Sequence, residues 1–178
     1  MKLDPHQGVI FLDRDGTLIH DPGYISDPDK VLLLPNTFEG LEKLSNMGWK
    51  FVMVSNQSGI GRGYYETRNY ESVNHRMLEL LGPVSEDFLL KLHCPHTPDD
   101  SCACRKPKTG MYEQAQRELG INFTSSVMIG NAESDFEAGL RIGALSILIG
   151  EPGSDSPADQ RLVAPDLLTA SHIIERII

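Results

Sequence analysis

Two carboxylates, Asp13 and Asp15, stand two positions apart in the segment Asp13-Arg14-Asp15-Gly16-Thr17, directly after the apolar run Val9-Ile10-Phe11-Leu12. Asp and Gly are common in solvated turns. Behind a fully apolar run, however, the pair stands where a buried strand delivers its last residues to a ligand. A carboxylate there can attack phosphorus and form an aspartyl-phosphate, which splits one difficult displacement into two easier ones. Magnesium suits such a site. It takes hard oxygen ligands, keeps several waters, and neutralises charge shared by an anionic nucleophile and a phosphate. The spacing allows a division of labour: Asp13 is expected to attack, and Asp15 to protonate the leaving oxygen and then deprotonate the hydrolytic water. Gly16 lets the backbone bend away from the strand.

A second reactive group lies further on. All three cysteines fall between positions 94 and 104, as Cys94-Pro95-His96 and Cys102-Ala103-Cys104. Three thiols cannot all pair, and such close spacing favours metal over a disulfide framework in a reducing compartment. Three thiolates and one imidazole suit tetrahedral zinc. His93 is an alternative imidazole beside Cys94; free thiols or a Cys102–Cys104 disulfide are the metal-free alternatives. Zinc would order a loop with little core of its own. It would also hold Arg105 and Lys106, which follow at once. Four protein ligands leave no open position, so the expected role is structural.

The elements that must position these groups alternate along the chain. Short apolar runs at Val9–Leu12, Phe51–Val54, Phe88–Leu92, Val127–Ile129 and Leu145–Ile149 read as buried strands. Between them lie helical patterns. Asn36 and Glu39 suggest a capping box for a helix stopped by Gly48, and Thr67 a cap for one running to Leu81. Further helices are expected over Gly110–Leu119, Ser134–Ile142 and Ala170–Ile178. This alternation predicts an α/β, Rossmann-like parallel sheet with helices on both faces, forming one domain over 1–178 with a zinc-binding loop at 94–104. No stretch after the first or second motif is long enough for a large cap domain. Ligands of such sheets bind beyond the carboxyl ends of the strands. Asp13, Ser55-Asn56-Gln57 and Gly130-Asn131 each follow an apolar run, so they are expected to converge there.

Composition excludes several classes. The chain of 178 residues carries a net charge of -9, which opposes general binding to nucleic acid. No apolar run approaches the ~20 residues that span a bilayer. The segment Met1-Lys2-Leu3-Asp4-Pro5 lacks the apolar core of a signal peptide. The expectation is a cytoplasmic monomer that acts on a small phosphorylated metabolite.

The motifs together resemble the haloacid dehalogenase superfamily of phosphatases: F-L-D-R-D-G-T at 11–17, S-N-Q at 55–57, R-K-P at 105–107 and G-N-x-x-x-D at 130–135. The resemblance implies Asp13 as nucleophile, Asp15 as acid/base, Ser55 as a donor to phosphoryl oxygens and Lys106 as the neutralising cation. It implies magnesium on Asp13, the Asp15 carbonyl and residue 131, and places His96 with the three cysteines on zinc. The family usually has Asp where this chain has Asn131; the amide oxygen still coordinates, but one negative charge is lost. Asp135 or Glu133 is expected to compensate, or Asp135 to orient Lys106. Two branches fit: heptose 1,7-bisphosphate phosphatases, through Gly23-Tyr24, S-N-Q-S-G-I-G-R-G at 55–63 and K-T-G-M at 108–111, and histidinol-phosphate phosphatases, through the short His96–Cys102 spacer. A sugar bisphosphate, the substrate favoured, needs a second anion site. Arg62 and Arg105 are the candidates, with Asn56 and Gln57 as further substrate contacts and Lys108 and His20 as lesser ones. Gly59, Gly61 and Gly63 suit a loop of backbone donors around phosphate, not a dinucleotide fingerprint. A catalytically impaired zinc-stabilised binding protein is the reading of another class, and rests on Asn131 alone.

Overall fold

The computed structural model describes residues 8–151 and 161–177. The N-terminal stretch read for a leader, and Ile178 of the expected last helix, lie outside the described residues. Six strands form one sheet: β1 (Ile10–Leu12), β2 (Phe51–Asn56), β3 (Phe88–Cys94), β4 (Val127–Gly130), β5 (Leu145–Ile149) and β6 (Leu162–Ala164). Their order is β3-β2-β1-β4-β5-β6, and every neighbouring pair is parallel. The five expected strands are present. β6 went unread, because three residues are too few to carry a pattern.

The two faces follow from strand alternation. Ile10, Leu12, Phe51 and Met53 point to one side, where they bury against α1 (Thr37–Asn46), α3 (Thr67–Leu81) and α6 (Leu167–Ile177). Val9, Phe11, Val52 and Val54 point to the other, against α4 (Gly110–Leu119) and α5 (Glu133–Ile142). All eight of these strand residues are fully buried, as a sheet covered on both faces requires. Among the described residues, only a 3-10 turn (Pro28–Lys30) and the short α2 (Ser58–Gly61) precede the core helices that follow β1 and β2, so no separate cap domain stands there.

Two expected caps differ. Asn36 is left-handed at φ 62° and makes no side-chain cap bond to α1; its amide instead donates to Asp166 at 2.5 Å, which ties α1 to the start of α6. The reciprocal cap of α3 lies one residue earlier than expected, where the Glu66 amide donates to the Asn69 side chain at 3.0 Å.

The strand order reverses direction between β1 and β4. At such a switch point the loops from the two strands diverge to opposite faces and leave a crevice at the carboxyl edge. Asp13 follows β1 and Asn131 follows β4.

Candidate active site

The end of β1 hands Asp13 to the crevice through its amide, which donates to the Ile129 carbonyl at 3.0 Å. Gly16 then turns the chain at φ +75°; a Cβ there would lie 2.3 Å from Asn131 Nδ2. Only glycine both accepts that conformation and lets residue 131 approach the turn. A cleft of about 270 Å³ opens over these residues, lined among others by Asp13, Asp15, Ser55, Arg105, Lys106 and Asn131.

Lys106 is the electrostatic centre. It is buried to 3% exposure, and its Nζ lies 2.6 Å from Asp13 Oδ1 and 2.6 Å from Asp135 Oδ1. It also donates to the Val54 carbonyl at 2.7 Å. Burial opposes its charge, but Asp13 and Asp135 more than offset this and hold its pKa above the usual lysine range. Asn56 fixes the lysine backbone from both sides: Lys106 N donates to Asn56 Oδ1 at 3.0 Å, and Asn56 Nδ2 to Lys106 O at 3.2 Å. Asp135 is itself held at the start of α5, where Oδ2 accepts from Ala132 N at 3.0 Å. Asp135 therefore sits where it orients Lys106.

Asp13 feels burial most. Desolvation raises its pKa, Lys106 lowers it, and Asp135 and Asp15 raise it again, to about 7. Asp13 and Asp135 flank Lys106, Asp15 and Asn131 line the same cleft, and the Asp13 pKa stands at about 7. A hard divalent cation suits this set of oxygen donors and this shortage of positive charge.

Asp15 is engaged differently. Arg14 Nε donates to its Oδ1 at 3.0 Å and Nη2 to its Oδ2 at 2.9 Å, a two-pronged contact. Gln57 Nε2 adds a third donor at 2.7 Å. Arg14 is fully buried. Two more of its donors go to Asn74 at 2.8 Å and Gln57 Oε1 at 3.2 Å, and its guanidinium lies 5.0 Å from the Tyr70 ring centroid. A buried guanidinium without such partners would cost several kcal/mol. Gln57 also donates to Ser55 Oγ at 2.6 Å and accepts from Tyr65 Oη at 2.6 Å. The contact with Gln57 uses a lone pair of Ser55 and leaves its proton to donate. Burial pushes the Tyr65 hydroxyl up to about 12, which keeps it a donor.

The expected residues fall into distinct places. Asp13, Asp15, Ser55, Asn56, Arg105, Lys106 and Asn131 all line the one cleft. Asn56 does so while its amide serves the Lys106 backbone. Gln57 is 3% exposed, with its amide committed to Asp15, Ser55, Arg14 and Tyr65. Arg62 is exposed at the end of α2 and is not among the cleft-lining residues. Sequence reasoning missed Arg14, Tyr65, Asn74 and Asp21. A cation between two acids, directly after a buried strand, was the available sign for Arg14.

The cysteine loop forms a compact cluster. The candidate ligand atoms of Cys94, His96, Cys102 and Cys104 all lie within 4.8 Å of one another. Cys94 Sγ is 3.1 Å from Cys104 Sγ and 3.7 Å from Cys102 Sγ, and His96 Nδ1 is 3.3 Å from Cys104 Sγ. A tetrahedron of thiolates at ~2.3 Å from zinc spaces its corners by roughly 3.8 Å, so the set fits that ion. The three thiols are unpaired. His93 turns away and packs on Tyr70, ring centroids 4.2 Å apart, because successive strand residues face opposite sides. Burial and the Cys104 thiol push the Cys94 thiol above the ordinary range, so metal binding here must expel a proton. The cluster is joined to the cleft: Arg105 Nη1 donates to the His96 carbonyl at 3.3 Å, and Lys108 Nζ to the Cys102 carbonyl at 2.5 Å.

A switch-point crevice with a buried lysine between aspartates, and a second acid two residues on, defines a phosphoryl-transfer site of the aspartate type. Known proteins agree. A family model described as "HAD-hyrolase-like" matches residues 103–175. The D-glycero-alpha-D-manno-heptose-1,7-bisphosphate 7-phosphatase of Photorhabdus laumondii is 33% identical over 177 residues, covering 94% of this chain and 96% of that protein. The histidine biosynthesis bifunctional protein HisB of Campylobacter jejuni is 37% identical over 82% of this chain, which spans 42% of that longer protein. Among solved structures, the D,D-heptose 1,7-bisphosphate phosphatase of B. bronchiseptica, complexed with magnesium and phosphate, superposes with a TM-score of 0.85 at 27% identity, covering 97% of this chain and 100% of that one. The chain belongs to the haloacid dehalogenase superfamily of phosphatases. No helix among the described residues is long and apolar enough to cross a membrane.

Proposed function

We propose that this chain is a magnesium-dependent phosphatase that releases the 7-phosphate of D-glycero-D-manno-heptose 1,7-bisphosphate through an aspartyl-phosphate on Asp13. The observation that carries the reading is Lys106 Nζ, 2.6 Å from both Asp13 and Asp135 at the carboxyl edge of the sheet. A binding module has no need to bury a lysine between a nucleophile and its own anchor, with an acid two residues away.

Asp13 and the Asp15 carbonyl would hold magnesium with Asn131; bound there, the ion supplies positive charge against the mutual repulsion of carboxylate and phosphate. Lys106 holds Asp13 Oδ1 in place and faces the phosphoryl oxygens from the buried side. Ser55 donates its free proton to one of those oxygens. Attack by the other Asp13 oxygen forms the O–P bond as the sugar oxygen leaves. Asp15 gives that oxygen a proton, then takes one from the water that cleaves the acyl phosphate. Arg14 and Gln57 hold Asp15 as an acceptor, the state required for the second step. Arg105 stands in the same cleft, where a guanidinium suits the substrate's other phosphate. Zinc on Cys94, His96, Cys102 and Cys104 would fix the loop from which Arg105 and Lys106 project, with no open position for chemistry.

The HisB relatives favour histidinol phosphate as a second reading. Phosphate release in magnesium, measured across sugar bisphosphates, monophosphates and histidinol phosphate, separates the two. The heptose bisphosphate should give the highest kcat/KM. Asp13→Asn should abolish release on every substrate, and retained turnover in that variant would sink the mechanism.

A further inference from the structure

A cavity of about 230 Å³ adjoins the active-site cleft and shares Asp15, Asp21 and Asn56 with it. Its wall is aromatic. Tyr24 and Tyr65 line it, and Tyr64 meets Tyr24 edge-to-face, ring centroids 4.8 Å apart and planes at 81°. Tyr65 is buried, with its hydroxyl on Gln57. Tyr24 and Tyr64 remain 49% and 61% exposed.

Three observations indicate that the Tyr24 ring is held in position. Its backbone is left-handed, φ 55°, a conformation that bulky side chains avoid. The loop that carries it is folded back by a bridge between Ile19 and Leu33, and by the Gly23 amide donating to Asp21 Oδ1 at 2.8 Å. Behind the rings lies Gly59: a Cβ there would stand 2.8 Å from Tyr24 Cδ1 and 2.3 Å from Tyr65 Cε1. Helix α2 therefore presents bare backbone so that both rings can seat. Backbone strain of this kind gathers at ligand-holding sites.

The position of the cavity selects its ligand. In-line displacement sends the leaving group away from the nucleophile and towards the acid that protonates it. The cavity is lined by Asp15 and not by Asp13. No lysine or arginine lines it, while Arg105 and Lys106 line the neighbouring cleft. An aromatic face beside the Asp21 carboxylate offers contact to C–H groups and an acceptor for hydroxyls. That combination suits the ring of a polyhydroxylated leaving group.

We infer that Tyr24, buttressed by Tyr64, is a specificity-determining platform against which the sugar ring of the leaving group packs. This rests on the phosphatase reading above. The test compares the wild-type chain with Tyr24→Gly, Tyr24→Phe and Tyr64→Ala on the heptose bisphosphate and on acetyl phosphate, whose leaving group has no ring. Glycine suits the backbone at position 24. The ratio of kcat/KM for the bisphosphate to that for acetyl phosphate should fall roughly 3- to 10-fold in Tyr24→Gly, the range of one aromatic contact. The fall should come through KM, be smaller in Tyr64→Ala and be absent in Tyr24→Phe. An unaltered ratio in Tyr24→Gly, including an equal loss on both substrates, overturns the platform while the phosphatase reading stands. A wild-type chain that hydrolyses neither substrate overturns that reading, and the platform with it.

Discussion

Magnesium should compete with a proton on Asp13. Burial, then the neighbouring Asp135 and Asp15 charges, raise the Asp13 pKa from 3.8 to about 7 in the metal-free protein, against the opposing pull of Lys106. A ligand carboxylate must lose its proton before it can coordinate. The apparent magnesium affinity should therefore weaken roughly tenfold between pH 8 and pH 6, the consequence of one group titrating near 7. Titration calorimetry at pH 6, 7 and 8, in buffers of different ionisation enthalpy, reads this directly. About 0.9 proton should be released per magnesium at pH 6 and about 0.1 at pH 8. The sign carries over to stability. The folded chain holds the Asp13 proton more tightly than the unfolded chain does, so the metal-free protein should lose stability as pH rises from about 4 through 7. Saturating magnesium should remove that loss. Asp13→Asn should abolish both the proton release and the pH dependence. Affinity that stays flat from pH 8 to 6, with no proton released, would refute the account, because Asp13 would then be ionised already or remote from the ion.

Three other changes test the same site. Lys106→Met leaves Asp13 and Asp135 facing each other without their shared cation, so denaturant unfolding should show a loss of about 3 to 5 kcal/mol; a loss below 1 kcal/mol would contradict the buried pairing. Cys102→Ser should cut zinc content, measured by elemental analysis, and raise KM because Arg105 and Lys108 are tied to that loop; unchanged zinc and KM would remove the cluster from the argument. Asn131→Asp restores one negative charge at the cleft and should tighten magnesium several-fold, read by calorimetry as above; no change would mean that residue 131 does not touch the ion.

Much of this was legible in the sequence, and the reason is local. Buried parallel strands read as unbroken apolar runs, so the residue after each run marks the carboxyl edge of the sheet. Asp13, Ser55 and Asn131 could be placed that way, and Asp135 as an orienting group for Lys106. The cysteine–histidine cluster was legible because spacing alone brings it together, and the family resemblance placed His96 rather than His93 in it; strand alternation, which turns His93 to the other side, supplies the physical reason. Arg14 and its partners were not legible. Asn74 lies sixty positions away, on a face of α3 whose packing no local pattern reveals. Gln57 read as a substrate contact and Tyr65 gave no local signal; their burial depends on how α2 settles against the end of β3. Asn36 misled for a related reason: its amide found a partner on α6, and a tertiary bond replaced the local cap.

The two buried cations divide the site, and they are not interchangeable. Lys106 is a point charge with three donors, and it meets three oxygens, one each from Asp13, Asp135 and Val54. Arg14 is a planar fork, and it grips both oxygens of Asp15. Swapping the two residue types would leave donors unmet on one side and a carboxylate half-held on the other. The division also sets what the proposed reaction must change at each carboxylate. Burial and the neighbouring carboxylates raise the pKa of Asp13, the proposed nucleophile, to about 7, while both oxygens of Asp15, the proposed acid, accept from Arg14. Turnover must change both, by driving the proton off Asp13 and by drawing Asp15 away from Arg14 towards the leaving oxygen. A divalent cation is suited to the first task, and a leaving group packed against Tyr24, on the Asp15 side of the site, to the second. Catalysis would then wait until cation and sugar are both in place.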